Sequence, residues 1–240
     1  MFGNVVKVHR EPSPVHLQQA EIERRKKGHA TGGTIFSGRI FCGECGQIYG
    51  PKVWHSNDSK YRKIIWQCNS KFKDKTRCKT PHLTEDEIKA AFIIALNKVL
   101  QIRGEVIANL KDVQSSLGST EQLEAEAERL MEELAAIASI VQQTIDENTR
   151  VAQNQDDYQR RYDEQADRYR RTEDELKKVQ EAIHVKNERS RRISEFISEV
   201  EAMPETVTEF SPDCWGHLVD RVTVYGKDRV TFTFTTGLEV

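Results

Sequence analysis

The stretch that decides the fold is Ile40-Phe41-Cys42-Gly43-Glu44-Cys45-Gly46-Gln47-Ile48-Tyr49; its counterpart is Ile64-Ile65-Trp66-Gln67-Cys68, followed after a basic loop by Arg77-Cys78-Lys79. Cys42 and Cys45 share one tight turn whose glycines let backbone N–H groups approach the sulfurs. Cys68 and Cys78 complete four soft ligands, the set a tetrahedral Zn²⁺ takes in a closed structural site. Four protein ligands leave no open position, so no chemistry is expected at the metal. The second pair is spaced more widely than C-x-x-C, and two alternatives remain: a disulfide framework, or His55 or His82 replacing one cysteine. A disulfide framework is disfavoured, because nothing at the N-terminus resembles a signal peptide and the fifth cysteine, Cys214, would be left odd. Cys214 reads as a buried core residue.

Composition points to a modular molecule. The chain has 240 residues, 31% of them charged and only 37% hydrophobic, which is lean for one compact core. No apolar run approaches the roughly 18–20 residues that span a bilayer, so a soluble, cytoplasmic protein with no membrane partner is expected. The net charge of −2 conceals a polarity: residues 1–83 carry 16 Lys+Arg against 6 Asp+Glu, net +10, and residues 84–240 carry 20 against 32, net −12. The basic half suits a polyanion and the acidic half does not.

Val5-Val6-Lys7-Val8 reads as a short strand. Ser13-Pro14 then starts a helix over Val15–Lys27, and a basic, glycine-rich linker follows. Ile35–Phe41 is expected as a strand entering the first cysteine turn, and Ile48-Tyr49-Gly50 as the strand leaving it. Val53-Trp54-His55 and Tyr61–Trp66 flank the turn residues Ser56-Asn57-Asp58-Ser59 as a β-hairpin whose second strand delivers Cys68. So short a ribbon lacks a sufficient core. A structural zinc, worth roughly 10–16 kcal/mol in small sites, is expected to decide whether it folds.

Around this ribbon stand Lys52, His55, Lys60, Arg62, Lys63, Lys71, Lys73, Lys75, Arg77 and Lys79, with Arg39 just before it. A two-stranded ribbon fits the DNA major groove, and lysines and arginines reach phosphates there. Trp54 and Trp66 are expected to pack around the metal site and not to face DNA.

Leu83-Thr84-Glu85-Asp86-Glu87-Ile88 starts a helix, with Thr84 and Glu87 as a capping box and Leu83 and Ile88 as a staple. Its apolar face is Ala91, Phe92, Ala95, Leu96 and Val99. A second helix, Glu105–Leu117, stops at Gly118. Ser119-Thr120 then caps a longer helix in which Leu123, Ala127, Leu130, Leu134, Ile137 and Val141 form a coiled-coil seam. After a polar break near Asp146–Asp157 the partner seam is Tyr162, Tyr169, Leu176, Ile183 and Ile197, with Val179, Ile193 and Val200 at the other position. The two helices are expected to fold back antiparallel, the first reaching on the order of 45 Å at ~1.5 Å per residue. Phe210-Ser211-Pro212-Asp213-Cys214-Trp215 starts a short helix. Val222–Tyr225 and Arg229–Phe234 then form a hairpin through a type II′ turn at Gly226. These strands need a partner sheet, and the ribbon is the only candidate.

The fold class read from these elements is α+β, a small zinc β-ribbon domain interrupted by a long antiparallel helical coiled-coil hairpin. The expected segments are residues 1–33 (helix and basic linker), 34–118 (zinc ribbon and following helices), 119–203 (coiled coil) and 204–240 (return to the ribbon). Taken in this order, S-G-R-I-F-C-G-E-C-G, I-I-W-Q-C, T-P-H-L-T-E-D-E-I, the heptads, F-S-P-D-C-W and V-T-V-Y-G-K-D-R-V-T-F resemble the C-terminal region of the large serine recombinases, or serine integrases. The resemblance implies one structural Zn²⁺ on Cys42, Cys45, Cys68 and Cys78. It also implies a ribbon that binds double-stranded attachment-site DNA, and a coiled coil that pairs with other subunits to govern synapsis and directionality, with a directionality factor as a further partner.

DNA contacts carry over only as a region. The family's catalytic serine domain is expected to lie outside this sequence, so no catalytic residue is assigned, Ser13 included, and residues 1–33 read as the tail of a missing domain. A transposase parent stays open, as does an interaction protein whose ribbon is only a clasp for the coiled coil.

Overall fold

A computed structural model describes residues 34–58, 60–71, 78–151 and 154–240, with the backbone of Lys7–Val8. The helix expected over Val15–Lys27 and the linker after it lie outside the described residues. The chain divides into two compact units, Met1–Lys111 with Arg192–Val240, and Asp112–Arg191.

The first unit holds two sheets. One has the order β1 (Lys7–Val8), β8 (Leu238–Glu239), β7 (Val230–Phe234), β6 (Val219–Val224), β2 (Ile40–Cys42); the other is β3 (Tyr49–Trp54), β4 (Lys63–Cys68), β5 (Leu83–Thr84). The C-terminal hairpin β6–β7 joins the ribbon through β2, which lies parallel to β6 with Ile40, Phe41 and Cys42 opposite Val222, Thr223 and Val224. β2 is shorter than the expected strand from Ile35. Gly38, at φ 75°, and the bonds Ser37 N–H to Thr34 O (3.0 Å) and Arg39 N–H to Phe36 O (3.2 Å) wind residues 34–39 into turns. β3 instead runs unbroken through Pro51, which faces Trp66. Proline is tolerated there because β3 is an edge strand.

Gly226 does not adopt the positive φ that a type II′ turn requires. The β6–β7 connection is closed by Tyr225 N–H to Arg229 O (2.9 Å) and Arg229 N–H to Gly226 O (3.4 Å), which puts Lys227 and Asp228 at the tip.

Helix α1 (Glu85–Gln101) begins as its sequence dictates. The Glu87 N–H donates to Thr84 Oγ1 at 3.2 Å, and the Thr84 N–H donates to the Glu87 carboxylate at 2.7 Å. That backbone N–H above all, with the Thr84 hydroxyl and Lys227, holds the Glu87 carboxyl below its ordinary range. One face of α1 buries Ile88, Phe92, Ala95, Leu96, Val99 and Leu100. The Asn97 side chain binds both the N–H and the C=O of Val207 at 2.8 Å, tying the returning chain to this helix.

A short helix, α5 (Pro212–Leu218), is capped by Ser211, which accepts the Cys214 N–H at 3.3 Å. It places Trp215 at the centre of an aromatic core. The Trp215 ring meets Phe36 at 4.8 Å, Phe92 at 5.3 Å, Phe210 at 6.0 Å and Phe232 at 6.1 Å, while its Nε1–H donates to Ile35 O at 3.1 Å. Phe36 in turn packs edge-on against Trp66 of β4 at 6.0 Å. One cluster thus draws on both sheets, α1 and α5.

The second unit is built from helices. Helix α2 (Arg103–Leu117) ends at Gly118, whose φ is 67°, and α3 (Glu121–Arg150) and α4 (Gln155–Ala202) run antiparallel. Lys186 Nζ reaches Ser119 O at 3.2 Å near one end, and Arg168 pairs with Glu133 at 2.7 Å further along. Ala127, Leu130 and Leu176 are buried between α3 and α4, with Leu134, Val179 and Ile183 packed against them. Ile137 is also buried, and Leu123, Val141 and Tyr162 are partly so.

Four expected seam residues differ: Tyr169, and Ile193, Ile197 and Val200. Tyr169 is exposed, and Thr172, only 5% exposed, is buried instead. Thr172 and Leu176, four apart on one helix face, are both buried, and Tyr169 on the turn before them is not. Ile197 lies in the first unit with Ile193, Phe196 and Val200, where Phe196 meets Phe234 at 5.7 Å. Among the described residues no helix is long and apolar enough to cross a membrane. Trp215→Ala is expected to lower the stability of the first unit by about 3–5 kcal/mol, measured as an earlier urea midpoint in tryptophan fluorescence.

Candidate metal centre and the exposed ribbon end

The first cysteine turn hangs from β2. Cys42 N–H donates to Gln47 O at 2.8 Å, Gly46 N–H returns to Cys42 O at 2.9 Å with Gly46 at φ 72°, and Gly43 N–H donates to Val224 O at 2.8 Å. A Cβ on Gly43 would lie 2.3 Å from the Tyr225 ring, so any larger residue there would have to displace that ring. β4 delivers Cys68, and the Lys71 N–H closes a turn back onto Cys68 O at 3.1 Å.

The four sulfurs of Cys42, Cys45, Cys68 and Cys78 all lie within 4.8 Å of one another. Cys42 and Cys78 are 3.2 Å apart, Cys45 and Cys68 3.4 Å. A tetrahedron with Zn–S bonds of ~2.3 Å has edges of about 3.8 Å, within this range. None of the five cysteines is in a disulfide. Among the described residues no histidine joins the cluster: the His82 ring packs on Trp54 at 4.5 Å, and His55 meets Tyr61 at 6.3 Å. Cys214 is half-buried, not fully so, and stands outside the cluster on α5, where burial pushes its thiol up. Its side chain follows the Ser211 cap in a helix too short to cover it.

The electrostatics suit a cation. Burial pushes Cys42 up, but the Thr80 hydroxyl, the backbone N–H groups of Cys45 and Glu44, and the Cys78 thiol outweigh it and bring the pKa down to about 6. Burial raises Cys68 and Cys78, with neighbouring sulfurs adding to it. Four thiolates this close therefore need a compensating positive charge, which a divalent metal supplies.

The basic residues named from sequence do not form one surface. Arg39 is turned inward: its guanidinium donates to the carbonyls of Trp215 (3.1 Å), Gly216 (3.2 Å) and Val219 (2.9 Å), clamping the end of α5. Lys71 Nζ donates to Thr80 O at 2.7 Å. Lys73, Lys75 and Arg77 lie outside the described residues. Lys52, His55, Lys60, Arg62 and Lys63 are brought together at the far end of the β3–β4 hairpin, where every described residue from 51 to 64 is exposed.

Trp54 departs from expectation. It is 37% exposed beside Val53, Tyr61 and Ile64, with Lys63 Nζ 5.5 Å from its ring centre, whereas Trp66 is fully buried. The two tryptophans sit at opposite ends of the hairpin, and only Trp66 reaches the core. Sequence reasoning missed Glu44 and Thr80, which contact the cysteines. Their signal was position, one inside the first knuckle and one two residues past Cys78.

Residues 35–97 match the family model of the recombinase zinc beta ribbon domain. This stretch is similar to the recombinase zinc ribbon. The recombinase resemblance carried by the sequence motifs holds over that span, which includes all four clustered cysteines, the β3–β4 hairpin and most of α1. Among solved structures, the crystal structure of an LSR–DNA complex is similar at a TM-score of 0.41 and 13% identity, over 92% of this chain and 63% of that one. The chain thus spans less than two thirds of the length of that structure's chain. No curated protein matches.

Stripping metal with a strong chelator is expected to unfold the ribbon, exposing Trp66 and shifting tryptophan emission to longer wavelength, with recovery on adding zinc. Cys68→Ala is expected to reproduce the loss with no recovery, checked by fluorescence and elemental analysis.

Proposed function

We propose that Cys42, Cys45, Cys68 and Cys78 hold one structural Zn²⁺, and that the chain is the DNA-binding, synapsis-regulating C-terminal part of a site-specific serine recombinase of the integrase type. The observation that carries this reading is the pairing of a recombinase zinc ribbon with a hairpin end on which Lys52, His55, Lys60, Arg62 and Lys63 are all exposed. The metal fixes the base of the hairpin and the free end meets the duplex. Lysines and arginines there neutralise phosphates and position the ribbon, which is of a width to enter the major groove. The ribbon supplies binding and orientation, and the chemistry of strand exchange belongs to the family's catalytic domain.

The helical hairpin is assigned to contacts between subunits and with a directionality factor. Its cross-helix seam is short, with Ile140 and Val151 left exposed, and a helix pair that returns to its starting domain can present a tip to a partner.

Neutralising Lys60, Arg62 and Lys63 to glutamine is expected to weaken duplex DNA binding and to flatten the log–log salt slope by up to about 2.7, at ~0.9 for each phosphate no longer neutralised. Titration by fluorescence anisotropy at several salt concentrations checks this. An unaltered protein that binds no duplex at micromolar concentration would instead make the ribbon a clasp in an interaction protein. Replacing residues 121–185 with a short glycine linker keeps Ile193, Phe196, Ile197 and Val200 in the first unit. It is expected to leave metal and DNA binding intact while abolishing self-association, read by sedimentation.

A further inference from the structure

Nine residues, 69–77, separate Cys68 from Cys78, so the second cysteine pair is not set on one C-x-x-C turn as the first is. Side chains close this half of the site. Glu44 Oε2 accepts the Lys79 N–H at 2.7 Å and lies 3.4 Å from Cys78 Sγ, which fixes Cys78 against the first knuckle. Lys71 Nζ donates to the carbonyl of Thr80 at 2.7 Å, and the neighbouring Tyr49 O–H is committed to Pro81 O at 2.8 Å. The backbone around Thr80 is therefore held by other groups, and its hydroxyl is not needed for that purpose. That hydroxyl is buried, in a residue 4% exposed, and lies 3.0 Å from Cys78 Sγ and 3.2 Å from Cys42 Sγ.

We propose that Thr80 is a positioning residue of the metal site: its hydroxyl donates to the thiolates of Cys42 and Cys78 and sets how firmly the cluster holds zinc. The proposal rests on the zinc reading above. Once all four sulfurs are metal-bound thiolates they carry no protons and can only accept, so at these distances the Thr80 O–H is the donor of the contact. A zinc ion with four thiolates has a net charge of −2, held here in a largely buried site. A hydroxyl shared between two of the sulfurs draws off part of that charge. It bridges one sulfur of the first pair and one of the second.

The test compares Thr80→Val, which removes the hydroxyl and keeps the shape, with Thr80→Ser, which keeps the hydroxyl and removes the methyl. Thr80→Ala takes the place of valine if the valine variant does not fold. Zinc affinity is measured by competition with a chromophoric chelator, and the sulfur-to-metal charge-transfer band is recorded with cobalt(II) in place of zinc. The expected result is a loss of about 10–100-fold in affinity for Thr80→Val, with the cobalt band moved to longer wavelength and both restored in Thr80→Ser. Unchanged affinity and an unshifted band in Thr80→Val would overturn the proposal, as would equal losses in the two variants, which would make the contribution one of packing. If the unaltered protein takes up neither zinc nor cobalt, the metal reading itself falls, and this inference with it.

Discussion

Three residues of β2 pair in parallel with three of β6, and the first unit depends on that contact. Ile40–Cys42 and Val222–Val224 come from opposite ends of the chain, yet their register positions the first metal ligand directly, since Cys42 is opposite Val224 and the next N–H, that of Gly43, donates to Val224 O. A strand of three residues has no stability of its own. It is held by its pairing with β6 and by what flanks it, namely the Arg39 clamp on the carbonyls leading into β6 and, just before it, Phe36 in the ring cluster around Trp215. The long helical insertion is tolerable for the same reason: loop-closure entropy grows only slowly with length, and once the two strands have met, the residues between them add little to the cost.

Within the ribbon, burial and exposure are divided along a single hairpin. At one end Tyr49, Ile65, Trp66 and Cys68 are inaccessible to water; at the other Val53, Trp54, Tyr61 and Ile64 are open to it, with lysines over two of the rings. The buried end is anchored by the thiol cluster and the aromatic core. The open end is held by cross-strand pairing and by the His82 ring on Trp54, away from the core, so it can carry positive charge without compromising that core.

Local chemistry made much of this legible in the sequence. The Thr84–Glu87 capping box, the Ser211–Pro212 start, the stop at Gly118 and the C-x-x-C turn each depend on a few adjacent residues whose side chains satisfy their own backbone, and all four are present in the structure. What escaped depends on tertiary placement. Arg39 looks like any other cation in a basic stretch until the end of α5 and the start of β6 bring three carbonyls within its reach. Trp54 and Trp66 are alike as letters, and only the register of β3 on β4 separates them. Tyr169 and Ile197 fit a repeat of seven, but the first is left exposed while Thr172 is buried, and the second lies on a stretch of α4 that belongs to the other unit.

Pro51 has a consequence for the company the ribbon keeps. It lies in the middle of β3, whose other side has no strand in that sheet among the described residues, and it has no N–H to offer. An incoming strand that tried to extend the sheet would find a gap in the ladder at that position. The ribbon is thereby guarded against growing edge to edge with copies of itself. Recognition at this surface must then run through side chains, where charge and shape discriminate, and not through the backbone, which would accept any extended chain.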